Sequence, residues 1–163
     1  MSGQSPDLQQ GDSMPRIGVR GFSGAALDRA LARRKITAED LADKIGMSHQ
    51  AVSTWRRGKA APTPAALKKM AAALDISPAD LTPIPAGKLR LADLRFHAGF
   101  NGRAAAKELS ISPTFLSEIE RGRKAYDLVL ASAFAELYAV TLEDVASAWE
   151  RTVADRTTRV DNL

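Results

Sequence analysis

Cysteine is absent from the 163 residues, which removes disulfides, thiolate metal sites and thiol nucleophiles together. Histidine occurs only as His49 and His97. Two imidazoles that far apart in sequence, with no metal-ligand spacing and no Gly-rich phosphate loop around them, give no framework for catalysis. No enzyme activity, metal or cofactor is therefore expected. Long apolar runs are missing too, so no segment reads as a membrane span and no membrane partner is expected. The opening MSGQSPDLQQGDS is polar and lacks the pattern of a secretion signal. Nor does any stretch alternate polar and apolar residues convincingly, which excludes a sheet and points to an all-α fold.

What the sequence has is a repeat. Shifted by 64 positions, residues 27–81 fall on 91–145 without a gap. Leu27 falls on Leu91, Ala42 on Ala106, Ser48 on Ser112 and Ser53 on Ser117; Arg57 falls on Arg121, Gly58 on Gly122 and Asp80 on Asp144. Between the copies lies TPIPAG, residues 82–87. Its two prolines make a short, semi-rigid linker, and its six residues reach at most about 20 Å when extended. The expected organisation is a disordered tail over 1–21, a first domain over 22–81 and the linker over 82–87. A second domain with an extended last helix follows over 88–155, then a tail over 156–163.

Capping signals divide each copy into about five helices. Ser23 precedes GAALDRALARRK, and Thr37 precedes AEDLADKI with Asp40 at capping-box spacing. Gly46 ends that helix, Ser48 caps HQAVSTWRR, and Gly58 stops it. Thr63 opens a helix with Pro64 in its first turn, and Ser77-Pro78 opens a last short one. Asn101, Ser112-Pro113, Asp127 and Thr141 repeat these roles in the second copy. The run Arg33-Arg34-Lys35 stands where a helix dipole favours cations. His97 reads as structural.

The helices flanking Gly46 are too short to be stable alone. Leu41, Ala42, Ile45, Met47, Val52 and Trp55 must pack them against each other and their neighbours. The spacing of Val52 and Trp55 puts the indole on the buried face. His49, Gln50, Ser53 and Thr54 then point away from the core, and they are of the type that reads base edges in a major groove. On LADKIGMSHQAVSTWRRGK and AAKELSISPTFLSEIERGR, both copies resemble the helix-turn-helix domain of the Cro/C1-type (XRE) phage-repressor family. The second copy departs from the family at Ser110, where glycine is usual.

That resemblance implies two tandem lambda-repressor-like domains whose third helices enter the major groove of double-stranded DNA. Carried over by position, the base-reading candidates are His49, Gln50, Ser53 and Thr54 in the first copy. In the second they are Pro113, Thr114, Ser117 and Glu118. Glu118 cuts both ways, since it can accept from a cytosine amine but repels phosphates. Phosphate contacts are implied for Thr37, Ser48, Arg57 and Lys59, and for Asn101, Ser112, Arg121, Arg123 and Lys124. Arg16 and Arg20 read either as part of a flexible tail or as a minor-groove arm.

Charge placement agrees with use of both copies. The net charge is +4. Residues 22–62 hold eight Lys/Arg and four Asp/Glu, and residues 88–126 hold the same numbers. Residues 127–163 hold three basic and seven acidic residues, so the last segment is not expected to bind phosphate. The expected protein is a DNA-binding transcriptional regulator on the cytoplasmic nucleoid, with repression the family's usual sign. A monomer with pseudo-dimeric tandem domains is expected, with a homodimer as the alternative. The competing functional reading is an antitoxin or interaction protein whose second domain and last helix bind a protein. Val145, Ala148, Trp149 and Val153 form an apolar stripe along that helix; it packs either on its own domain or on a partner.

Overall fold

The computed structural model describes residues 18–163. Among them are ten α-helices, one 3₁₀ turn at Ala86–Lys88 and no strand. The chain divides into two compact units, with the break between Pro83 and Ile84.

Unit one holds α1 (Gly24–Arg34), α2 (Ala38–Ile45), α3 (His49–Arg56), α4 (Pro64–Leu74) and α5 (Pro78–Leu81). Each begins where a short polar side chain can accept from a free first-turn amide. Ser23, Thr37, Ser48, Thr63 and Ser77 all do so. Thr37 and Asp40 complete a reciprocal capping box. The apolar side chains then meet in one core, where Leu27, Leu41, Ala42, Val52, Leu67, Met70, Leu74 and Leu81 are fully buried. Trp55 joins them at 6% exposure, as its spacing from Val52 requires. Met47 is only half-buried, because it lies in the turn between α2 and α3.

Unit two holds α6 (Leu91–His97), α7 (Gly102–Leu109), α8 (Pro113–Glu120), α9 (Leu128–Tyr138) and α10 (Leu142–Asp161). Asn101, Ser112, Asp127 and Thr141 cap the last four of these. Its core contains Leu91, Ala105, Ala106, Leu116, Ile119, Phe134, Val145, Ala148 and Trp149, with Val153 packed against it. The α10 stripe is therefore folded onto its own unit. Trp149 Nε1 donates to Lys124 O at 2.9 Å, which satisfies the indole within the core's edge.

Three boundaries differ from the sequence reading. The expected tail over 1–21 lies mostly outside the described residues, as does Arg16. Val19, however, is buried and donates its N–H to Pro62 O at 2.9 Å, so ordered chain begins before residue 22. Thr82, the first residue assigned to the linker, is also buried. The expected tail over 156–163 is mostly helix, since α10 runs to Asp161. Nothing between Thr141 and Asp161 is Gly or Pro, so no residue interrupts the ladder.

Candidate nucleic-acid interface

In unit one, α2 turns into α3 at Gly46, which takes the left-handed conformation at φ 72°. A two-residue step follows, Ser48 accepts from Ala51 N at 3.0 Å, and α3 starts. This places His49 and Gln50 in solvent and leaves Ser53 and Thr54 half-exposed. The four share a face opposite Val52 and Trp55. Thr37, Glu39, His49, Gln50, Ser53 and Arg56 line one polar cleft of about 460 Å³. The structure thus brings a phosphate candidate from the start of α2 beside three base-reading candidates from α3.

Several of these groups are already oriented. His49 Nε2 lies 2.9 Å from Asp43 Oδ1. That hydrogen bond raises the imidazole pKa above its ordinary value of 6.5. Thr54 Oγ1 donates to Gln50 O at 2.8 Å, which leaves the hydroxyl oxygen free to accept. Arg57 Nη1 donates to Ser53 Oγ at 2.6 Å. Lys59 follows Gly58, whose φ is 73°, and is exposed. The sequence reading missed Arg56, whose Nε donates to Asp28 Oδ1 at 2.6 Å and so fastens α3 to α1. The only signal for it was the Arg56-Arg57 doublet.

Unit two builds the same turn with different residues. Ser110, in place of glycine, holds the left-handed conformation at φ 58°. Ser112 accepts from Phe115 N at 3.0 Å, and Pro113 takes the first helical position, where its missing N–H costs nothing. Pro113 and Thr114 are exposed, and Ser117 and Glu118 are half-exposed. Glu118 faces two of the phosphate candidates, with Arg121 at 3.4 Å and Arg123 at 3.5 Å. The carboxylate therefore sits inside a cationic fork rather than standing alone against phosphate. Lys124 Nζ lies 5.9 Å from the Phe115 ring centroid. Asn101 is at the start of α7, accepting from Ala104 N at 2.7 Å.

The end of α8 is held by a pair that sequence reasoning also missed. Arg95 donates to Glu120 twice, Nε to Oε2 at 2.7 Å and Nη2 to Oε1 at 2.9 Å. Its Nη1 donates to Phe100 O at 3.0 Å. In sequence, nothing local links two charges 25 positions apart. His97, on the same helix as Arg95, is half-buried, and burial lowers its pKa.

Among the described residues no group of His, Cys, Asp and Glu could hold a metal ion, and no helix is long and apolar enough to cross a membrane. The family model described as "Helix-turn-helix" matches residues 27–81. A second, described as "Helix-turn-helix domain", matches residues 89–148. No curated protein and no solved structure matches the chain. Two matched models on two capped turn-and-helix units mark a DNA-binding regulator, and the chain belongs to the helix-turn-helix proteins, with a Cro/C1-type domain first and a second helix-turn-helix domain in tandem.

Proposed function

We propose that the protein is a sequence-specific transcriptional repressor that lays α3 and α8 into the major groove of two adjacent, non-identical half-sites. The observation that supports this best is the exposed polar face each unit presents beside cations: His49, Gln50, Ser53 and Thr54 in one, Pro113, Thr114, Ser117 and Glu118 in the other. Side chains of these lengths reach base edges. Arg57 and Lys59, like Arg121, Arg123 and Lys124, stand where phosphates flank a helix in the groove. Thr37, Ser48, Asn101 and Ser112 present the amide ends of α2, α3, α7 and α8 to the same backbone. The two units are the two reading domains, acting as one monomer. The short linker gives the second a high effective concentration once the first has bound. Repression follows from occupancy of promoter DNA on the nucleoid.

Because the two faces differ, the selected operator is asymmetric. Selection of bound fragments followed by footprinting tests this. One chain protecting two unlike half-sites agrees with the proposal. Two chains on a true palindrome, with protection unchanged when residues 88–163 are deleted, overturn it.

One observation favours a second reading, in which unit two binds another copy of the chain. Tyr126, Ala146, Trp149, Val153 and Ala154 line an open, almost wholly apolar groove of about 550 Å³. The first half of α10 is acidic, with Glu143, Asp144 and Glu150 against Arg151, while in the second half Asp155 and Asp161 balance Arg156 and Arg159. Two such helices side by side would bury the apolar lining of the groove. Sedimentation of the full chain separates the readings. A dimer that Val153→Glu dissociates supports the second, and a monomer at every concentration removes it.

A further inference from the structure

Residues 127–163 are acidic as a whole, which argues against phosphate binding by the last helix. Its charges are not evenly placed. Along α10, Val145, Ala148, Trp149 and Thr152 form one buried stripe. Continuing at helical spacing, that stripe reaches Arg156 and then Arg159. The face that packs on the core in the first half of the helix thus carries Arg156 and Arg159 in the second, together with Asp155, which is paired to Arg90.

The place where it changes is the loop that follows the recognition helix. A β-carbon at Gly122 would lie 2.6 Å from Thr152 O and 3.0 Å from Arg156 Cβ. Gly122 is buried, whereas its counterpart Gly58 is exposed with open space around it. Thus α10 crosses directly over Gly122, the residue between Arg121 and Arg123. Arg156 comes out of that crossing beside the two phosphate candidates, and Arg159 lies one turn farther along.

The surrounding charges leave these two arginines uncommitted. Arg151 is spent on the Leu89 carbonyl. Asp155 faces Arg90 at 3.7 Å, and Glu118 is shared by Arg121 and Arg123. Arg156 and Arg159 form no ion pair among the described residues. Asp161, at the end of the helix, is the remaining acid nearby in sequence.

We infer that the second half of α10 is an additional DNA-backbone contact in unit two, in which Arg156 and Arg159 grip phosphates beyond those reached from the Gly122 loop. This element has no equivalent in unit one, where α5 stops at Leu81. The inference rests on the proposal that unit two lies on DNA, and the test separates the two.

The full chain and its R156Q/R159Q and Arg123→Ala variants are titrated with a mixed-sequence duplex over a range of salt concentrations. Circular dichroism checks that each is folded. Each phosphate contact contributes about 0.9 to the slope of log K against log salt. R156Q/R159Q is expected to shallow the slope by nearly two units, and R156K/R159K to restore most of it, because the charge returns. If Arg123→Ala shallows the slope and R156Q/R159Q leaves it unchanged, α10 is not on the backbone and the inference fails alone. If both leave it unchanged, unit two is not on DNA and both fall. A loss of slope that lysine does not restore also overturns the inference, since it assigns the arginines to packing rather than charge.

Discussion

The two units hold their recognition helices in the same place by different means. Unit one fastens α3 to α1 with Asp28 and Arg56, whose side chains are 48% and 43% exposed, and seals the joint with the buried Trp55. Unit two fastens α8 to α6 with Arg95 and Glu120, 11% and 13% exposed and doubly bonded. There the smaller Ile119 takes the tryptophan's position in the repeat. Unit one therefore relies on apolar packing, with an ion pair at its edge that water screens. Unit two has turned the ion pair inward, where each partner depends on the other. One backbone frame tolerates both, because what the frame requires is that the helix end be held.

The largest effects should come from breaking these two anchors. Glu120→Ala leaves the largely buried Arg95 guanidinium without its partner and is expected to cost unit two about 3–5 kcal/mol. Asp28→Ala, its analogue in unit one, should cost under about 1 kcal/mol. Trp55→Ala is the matched lesion there, at about 3–5 kcal/mol. Thermal or urea unfolding followed separately for each unit checks all three; equal losses from Glu120→Ala and Asp28→Ala would erase the distinction.

Reading should respond next. Gln50→Ala is expected to leave both units folded and to relax base preference at one position of the half-site by about 1–3 kcal/mol. Binding to a panel of single-base operator variants shows whether the loss is confined to that position or spread over all of them.

The turns supply a smaller, reciprocal pair. Ser110 holds a left-handed conformation that costs a residue with a β-carbon about 1–2 kcal/mol. Ser110→Gly should recover about 1 kcal/mol of this, offset by the looser unfolded chain. Gly46→Ser should lose about as much, since open space around Gly46 leaves the backbone angle as the cost. Melting of the two variants must move in opposite directions.

The smallest effect is a pH dependence confined to unit one. Asp43 raises the His49 pKa from 6.5, so the imidazolium and its pairing persist at and below that pH and are lost as pH rises through the raised value. Affinity for DNA should fall gently over that window, because a positive charge leaves the reading face. Asp43→Asn should move the midpoint down, and His49→Gln should flatten the profile. His97 moves the other way, its pKa lowered by burial, and leaves that window clear.

Much of this was legible because capping is local. Ser23, Thr37, Ser48, Thr63, Asn101, Ser112, Asp127 and Thr141 each act on an amide within three residues, so a short window of sequence contains both partners. The outward face of α3 followed from the same short-range geometry, and that of α8 from its match to the repeat and the family resemblance. Arg95 did not, because its burial depends on Glu120 and on Phe100 O, which only the folded unit brings together. Nor did Arg156, whose setting is created by a glycine 34 positions earlier. The end of α10 was misplaced for the opposite reason: helix termini are marked by stop signals, and residues 142–161 contain none.

One bond in unit two gives the molecule a built-in reporter. Leu91, the first residue of α6, donates its N–H to Thr152 Oγ1 of α10 at 3.1 Å, and both residues are buried. Opening-turn amides of a helix ordinarily trade their protons with water early, having no carbonyl of their own helix to hold them. The Leu91 amide should instead be among the slow ones, and its exchange rate measures how often α10 lifts away from the unit. A single resolved peptide in a deuterium-labelling time course would follow that lifting, in the free protein and then on DNA.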